Sequence, residues 1–192
     1  DILGSQQSGF IDTIGYEMYL RILNEEVERL KGKLEENTLD DETSAEEKPF
    51  IQVSTHISDK YADSEDLKIE IHKKINTIDS YEKLSAVKKE LEDRFGILDE
   101  DVIGYMLEEL FQVLAKRKEV MKVEQLDNKV VVYFSVQKSN TINGSELLSN
   151  LFKISSNFDV SYVNKILKIT LNTKGLEKHF LYYLVKMISV IE

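Results

Sequence analysis

At 192 residues with 42% apolar content, the chain is long enough for one ordinary domain plus an appendage and can bury a sizeable core. Its formal net charge of −10 argues against direct DNA binding, because affinity for a polyanion comes from Lys and Arg displacing counterions at phosphates. The absence of Cys excludes disulfides, thiolate metal sites and thiol nucleophiles, and no run approaches the roughly 20 apolar residues of a membrane helix.

The opening residues Asp1-Ile2-Leu3-Gly4 are not a targeting signal, the chain reads as a piece of a larger protein, and its lack of Cys is compatible with a reducing cytoplasm. Residues 1–13 contain Gly4 and Gly9 and no apolar period, so they read as a loop. Ile14, Met18, Ile22 and Leu30 then recur near helical spacing and predict a long helix from Ile14 to Glu36. From Lys33 to Pro49 the acids Glu35, Glu36, Asp40, Asp41, Glu42, Glu46 and Glu47 outnumber Lys33 and Lys48. Such a stretch cannot bury enough apolar area to offset its ordering entropy, so a flexible acidic linker is expected. The resulting boundaries are residues 1–32, the linker 33–49 and a domain over 50–192.

Phe50 to Ile57 alternates apolar and polar residues and predicts a strand or extended segment. Ser64-Glu65-Asp66 supplies a cap and an acidic first turn for a helix carrying Leu67, Ile71, Ile75 and Ile78, although Leu67 to Ile71 also alternates like a strand. Ser80 opens the next helix, with Leu84, Val87 and Leu91 inward and Gly96 placed to end it in a left-handed conformation. Asp99 caps a third, whose face of Val102, Met106, Leu107, Leu110, Phe111 and Leu114 is strongly amphipathic.

The period then changes. Val120, Met121 and Val123 lead through Asp127-Asn128-Lys129 into Val130 to Phe134, a β-hairpin. Asn143-Gly144-Ser145-Glu146 starts a helix with Leu147, Leu148, Leu151 and Phe152 on one side. A second hairpin follows, Val160 to Val163 and Ile166 to Leu171 around Asn164-Lys165. A C-terminal helix from about Lys174 is apolar around much of its circumference at Phe180, Leu181, Leu184, Val185, Met187 and Ile188. Runs of helices and hairpins favour an α+β fold: helices packed on a small, mostly antiparallel sheet built from two hairpins, preceded by a long helix and an acidic linker.

No Gly-x-Gly-x-x-Gly or Gly-Lys-Ser/Thr phosphate loop occurs, so no nucleotide cradle is assigned and no cofactor is expected. His56, His72 and His179 are dispersed and read as surface or satisfied structural residues, with no metal site expected. The basic clusters Lys73-Lys74 and Lys116-Arg117-Lys118 read as solvated helix faces. Acids are abundant, but no pair is placed across a cleft, so no catalysis is expected.

One stretch carries a family signature: Glu90-Leu91-Glu92-Asp93-Arg94-Phe95-Gly96-Ile97-Leu98, preceded by Ile57, Asp59, Tyr61, Lys68-Ile69, Ile71 and Lys73-Lys74-Ile75. This pattern resembles the C-terminal regulatory domain of the bacterial transcription-repair coupling factors. Leu3-Gly4-Ser5-Gln6-Gln7-Ser8-Gly9 with Gly15, Tyr16 and Tyr19 resembles the tail of their RecG-like translocation module. Ser58 and Asp99 stand where the family usually has Pro, and His72 where Tyr is common. The resemblance implies a parent that uses ATP to translocate on DNA as a superfamily 2 helicase relative, binds RNA polymerase stalled at a lesion and recruits UvrA. It implies a non-catalytic, autoinhibitory role for this piece, clamping the UvrA-binding module of the same protein.

Glu90 and Asp93, at i and i+3, project together from the helix end while Leu84, Val87 and Leu91 point elsewhere, and two carboxylates so placed suit an Arg-bearing partner. They are the candidate inhibitory contact, while Arg94, Phe95 and Gly96 are expected to anchor and end the helix. The alternative expectations are an autonomous domain that homodimerises through its apolar C-terminal helix, or a nucleic-acid module.

Overall fold

The computed structural model describes residues 16–31, 50–51, 53, 55–58, 61 and 64–192. The expected loop at 1–13 and the acidic linker at 33–49 lie outside the described residues. The elements are α1 (Tyr16–Lys31), α2 (Glu65–Ile75), α3 (Tyr81–Phe95), α4 (Glu100–Arg117), β1 (Val120–Leu126), β2 (Lys129–Phe134), α5 (Val136–Thr141), α6 (Gly144–Ile154), β3 (Phe158–Val163), β4 (Ile166–Asn172) and α7 (Phe180–Ser189). The fold is α+β, and it gathers into two compact units. One is a sheet unit of α1, residues 118–174 and 190–192; the other is a helical unit of α2, α3, α4, α7 and the described residues between 50 and 61. Between residues 50 and 192 the chain crosses between them at 117/118, 174/175 and 189/190.

In the sheet unit the two hairpins join through their second strands. The order is β1-β2-β4-β3 with every neighbouring pair antiparallel. The β3–β4 turn is made by Asn164 and Lys165, both at positive φ (53° and 66°), as a two-residue hairpin loop that follows the strand twist requires. Val130, Val132, Phe134, Leu167, Ile169, Leu171, Phe158 and Val160 alternate onto one face and are buried.

Helix α1 packs across β3 and against α6 through buried Met18 and Ile22. Its Arg21 donates from Nη2 to the carbonyls of Ser139 and Ile142, the latter at 2.7 Å, and its guanidinium lies 4.5 Å from the Tyr162 ring centroid. Its Glu25 accepts the Gly144 N–H at 2.8 and 3.1 Å, covering an otherwise orphaned donor at the start of α6. A Cβ on Gly144 would come within 2.7 Å of Met18 Cε and 3.0 Å of Ile22 Cγ1, so this glycine permits the close approach of α1.

The short helix α5 has no apolar period, and its sequence signal is the cap Ser135, whose Oγ accepts from Lys138 N–H at 3.0 Å. Buried Ser139 accepts the Leu167 N–H at 2.9 Å, just where the β2–β4 ladder has ended at Tyr133 and Lys168. In α6, Asn143 caps as expected by accepting from Glu146 N–H at 2.9 Å. Leu147, Leu148 and Leu151 face inward, but Phe152 is 43% exposed and does not share their side.

In the helical unit the expected strand at Phe50 to Ile57 does not form among its described residues. The alternation still buries Ile51 and Ile57, while Phe50 N–H is taken by the Gln112 side chain at 2.9 Å in place of a ladder partner. Ser64 caps α2 through Leu67 N–H (3.2 Å), and Ser80 caps α3 through Lys83 N–H (3.1 Å). The local strand-like alternation in α2 yields to the helical period that buries Ile71 and Ile75.

Helix α7 starts at Phe180 rather than near Lys174, because Lys174 and Gly175 (φ 76°) make a turn first. Its Leu181, Leu184, Val185, Met187 and Ile188 are buried, with α7 packed on α4. The apolar face that could have served a homodimer is therefore spent inside this unit.

Candidate functional site

The α3–α4 junction is built around Tyr61. Its ring meets Phe95 edge to face, with centroids 5.9 Å apart at 87°, and its hydroxyl accepts the Asp99 N–H at 2.8 Å. One aromatic residue thus fixes the end of α3 and the start of α4. Asp99 occupies the cap position, its carbonyl accepting from Ile103 N–H at 3.1 Å. Between them Gly96 closes α3 by donating to the Glu92 carbonyl at 2.8 Å. Its φ is positive as expected, but ψ of −158° puts it in the region open essentially to glycine alone, beyond the left-handed helical well.

Arg94 is an anchor. Nη1 lies 3.2 Å from Glu70 Oε1 on α2, and the guanidinium sits 5.0 Å from the Phe95 ring centroid. Lys74 bridges the same two helices, pairing with Glu70 at 3.9 Å and with Glu90.

Glu90 and Asp93 are both exposed on α3, yet they are not equivalent. Glu90 is hydrogen-bonded to Lys74, and that bond, aided by the charges of Lys74, Arg94 and Lys83 against some desolvation, holds its carboxyl below the usual carboxylate range. Asp93 has no such tie among the described residues. Immediately past the Gly96 turn, Ile97 is 91% exposed, an apolar side chain four residues after Asp93. Sequence reasoning passed over Ile97 because a single apolar residue in a loop has no period; its signal lay in its place between Phe95, committed to Tyr61, and the buried Leu98.

Elsewhere in the helical unit Tyr105 donates to Asn76 Oδ1 at 2.9 Å, so His72, 3.0 Å away through Nδ1, is the donor to the phenol oxygen. Burial, with Glu109 and Glu108 nearby, pushes the Tyr105 hydroxyl up to about 12. Burial beside Glu109 also pushes Glu108 up to about 7. His179 caps α7, its Nδ1 accepting from Leu181 N–H at 3.2 Å, and burial lowers its pKa against the opposing charges of Glu100 and Asp101. These groups serve α4 and α7 and converge on no cleft. Among the described residues no cluster of three or more His, Asp or Glu could hold a metal ion, and no helix is long and apolar enough to cross a membrane.

The junction of Tyr61, Phe95 and Gly96 lies inside a stretch with recognisable relatives. Residues 51–145 match the family model of the TRCF domain. This segment belongs to the TRCF domain family. Over 98% of its length the chain is 29% identical to a transcription-repair-coupling factor of Staphylococcus epidermidis and 26% identical to one of Staphylococcus aureus. It spans 16% of the length of each of these curated relatives. A crystal structure of the C-terminal domain of transcription-repair coupling factor superposes with a TM-score of 0.59 at 22% identity, covering 72% of this chain and 86% of that one. The fold is therefore that of a coupling-factor C-terminal domain. The TRCF match takes in α2, α3, α4, β1, β2 and α5, and with them Glu90, Asp93 and Ile97.

Proposed function

We propose that this chain is the regulatory C-terminal domain of a transcription-repair coupling factor, and that it acts without catalysis by masking the UvrA-binding module of the same protein. In that role it restrains an ATP-dependent DNA translocase that removes stalled RNA polymerase and brings UvrA to the lesion during nucleotide-excision repair. The observation that carries the reading is the anchored end of α3, which carries exposed Asp93 in its last turn and exposed Ile97 just past the Gly96 turn. An acidic group next to an apolar knob is a small docking tip, and its precise placement follows from Tyr61, Phe95 and Arg94 holding the backbone beneath it. Glu90 contributes by exchanging Lys74 for a cation on the partner, so its share of the docking energy is reduced by the bond it gives up.

An inhibitory contact must bias an equilibrium between a masked and an open state, and its removal must favour whatever the open state binds. Deleting residues 50–192 from the parent protein is therefore expected to raise both its ATPase rate and its affinity for UvrA. If neither rises, the domain is not a lock.

A further inference from the structure

We propose that Tyr182 and Lys186 of α7, with Lys178 just before its start, form a docking surface for an acidic segment of a partner protein, a second surface of opposite charge to the α3 tip. The two lysines flank one ring: Lys178 Nζ lies 4.1 Å and Lys186 Nζ 4.9 Å from the Tyr182 centroid. Tyr183 meets that ring edge-on, 5.6 Å away at 89°, and fixes its orientation. The two ammonium groups, Lys186 foremost, lower the pKa of the Tyr182 hydroxyl.

The cluster lies in a chain of net charge −10. Lys68, Lys74, Lys88 and Lys122 each have a carboxylate within salt-bridge distance. Among the described residues Lys178 and Lys186 have a neutral phenol in that place. Two cations gathered around one ring repel each other, and an anionic group set between them relieves that repulsion while gaining charge-assisted hydrogen bonds from both. The buried side of α7, Leu181, Leu184, Val185 and Ile188 on α4, keeps the cluster on a stable support.

The local character of the charge selects the partner. A nucleic acid presents a phosphate about every 1.7 Å of duplex and would meet repulsion from a chain of net charge −10. One or two carboxylates of a peptide engage the lysine pair alone, and the apolar body of Tyr182 suits a peptide side chain.

The test is fluorescence anisotropy of a fluorescein-labelled deca-glutamate peptide titrated with the 192-residue chain. Saturable binding is expected, weakening about tenfold between roughly 50 and 250 mM salt. Lys178→Gln with Lys186→Gln should weaken it by about tenfold, while Lys178→Arg with Lys186→Arg should keep it. Lys153→Gln with Lys174→Gln removes the same net charge from exposed positions and should leave binding as it was. No binding by the parent chain, or equal losses in the two Gln pairs, would overturn the proposal. A single-stranded oligonucleotide that binds more tightly than the peptide and depends on Lys178 and Lys186 would overturn it in favour of nucleic acid. Far-UV circular dichroism establishes that each variant is folded, and if the Gln pair at 178 and 186 is not, failure of the folded Arg pair to bind decides against the surface.

Discussion

Glu90 is bonded to Lys74 of the neighbouring helix, while Asp93, one turn along the same face, has no partner among the described residues. The pair that looks symmetric in sequence is thus divided into a carboxylate that ties α3 to α2 and one left available. The two are expected to behave differently when changed.

Asp93→Lys should weaken binding to the isolated UvrA-binding module with little effect on the melting temperature, since exposed substitutions rarely move stability by more than about 0.5 kcal/mol. Glu90→Lys should weaken docking and also loosen the α2–α3 contact by setting a cation against Lys74. Together they should cost roughly 2–5 kcal/mol of binding if the contact is desolvated. Ile97→Ala should add to the loss by removing the apolar part of the tip. Titration calorimetry against the isolated module reads all three, and unchanged affinity in the double Lys variant would end the assignment of this tip.

His179 makes stability depend on acid. Its Nδ1 must be unprotonated to cap α7, and burial lowers its pKa in the folded chain, so the unfolded state binds the proton more readily. The stability it contributes is full above the unfolded value near 6.5 and is lost as pH falls from there through the lower folded value. His179→Asn retains a capping acceptor without titrating in this range, and should flatten this part of the pH profile of chemical denaturation.

Glu108 works in the opposite direction. With its folded pKa raised to about 7 by burial, the folded state holds a proton that the unfolded state releases, and stability falls as pH rises from about 4.5 through 7. Glu108→Gln should therefore be stabilising at pH 8, by about 1–3 kcal/mol, and close to neutral at pH 4. Because its window overlaps that of His179 with the opposite sign, urea midpoints should be compared between each variant and the parent chain at every pH.

Gly144→Ala is expected to push α1 off the sheet unit. The new methyl would meet Met18, Ile22 and Glu25, and relieving those contacts should cost about 1–3 kcal/mol. Hydrogen exchange should quicken in α1 while the β2 and β4 amides keep their protection; unchanged exchange in α1 would show that its seat does not depend on this glycine.

Gly96→Ala tests backbone conformation alone. No heavy atom lies within 4 Å of the added Cβ, so the expected loss of about 1–3 kcal/mol comes from forcing an L residue to φ 82°, ψ −158°. A change that small in distance would still reorient the α3 tip, and should lower affinity for the UvrA-binding module as well as the melting temperature.

Local chemistry was enough for much of this protein. Ser64, Ser80 and Asn143 mark helix starts because their side-chain oxygens satisfy backbone donors three residues on, an interaction written within four residues of chain. Asn164-Lys165 between two alternating runs marks a hairpin because a two-residue loop is likewise written within a few residues of chain. What depends on distant parts of the chain was not legible. The Phe50 to Ile57 alternation reads as a strand, but whether a ladder forms depends on an available edge, and Gln112 took the Phe50 N–H instead. The pairing of Glu90 with Lys74, the exposure of Ile97 beyond a turn anchored by Tyr61, and the gathering of Lys178 and Lys186 around one phenol were decided by tertiary packing. Sequence determines which charges and apolar groups exist, whereas only the folded arrangement determines which of them are already partnered and which remain for another molecule.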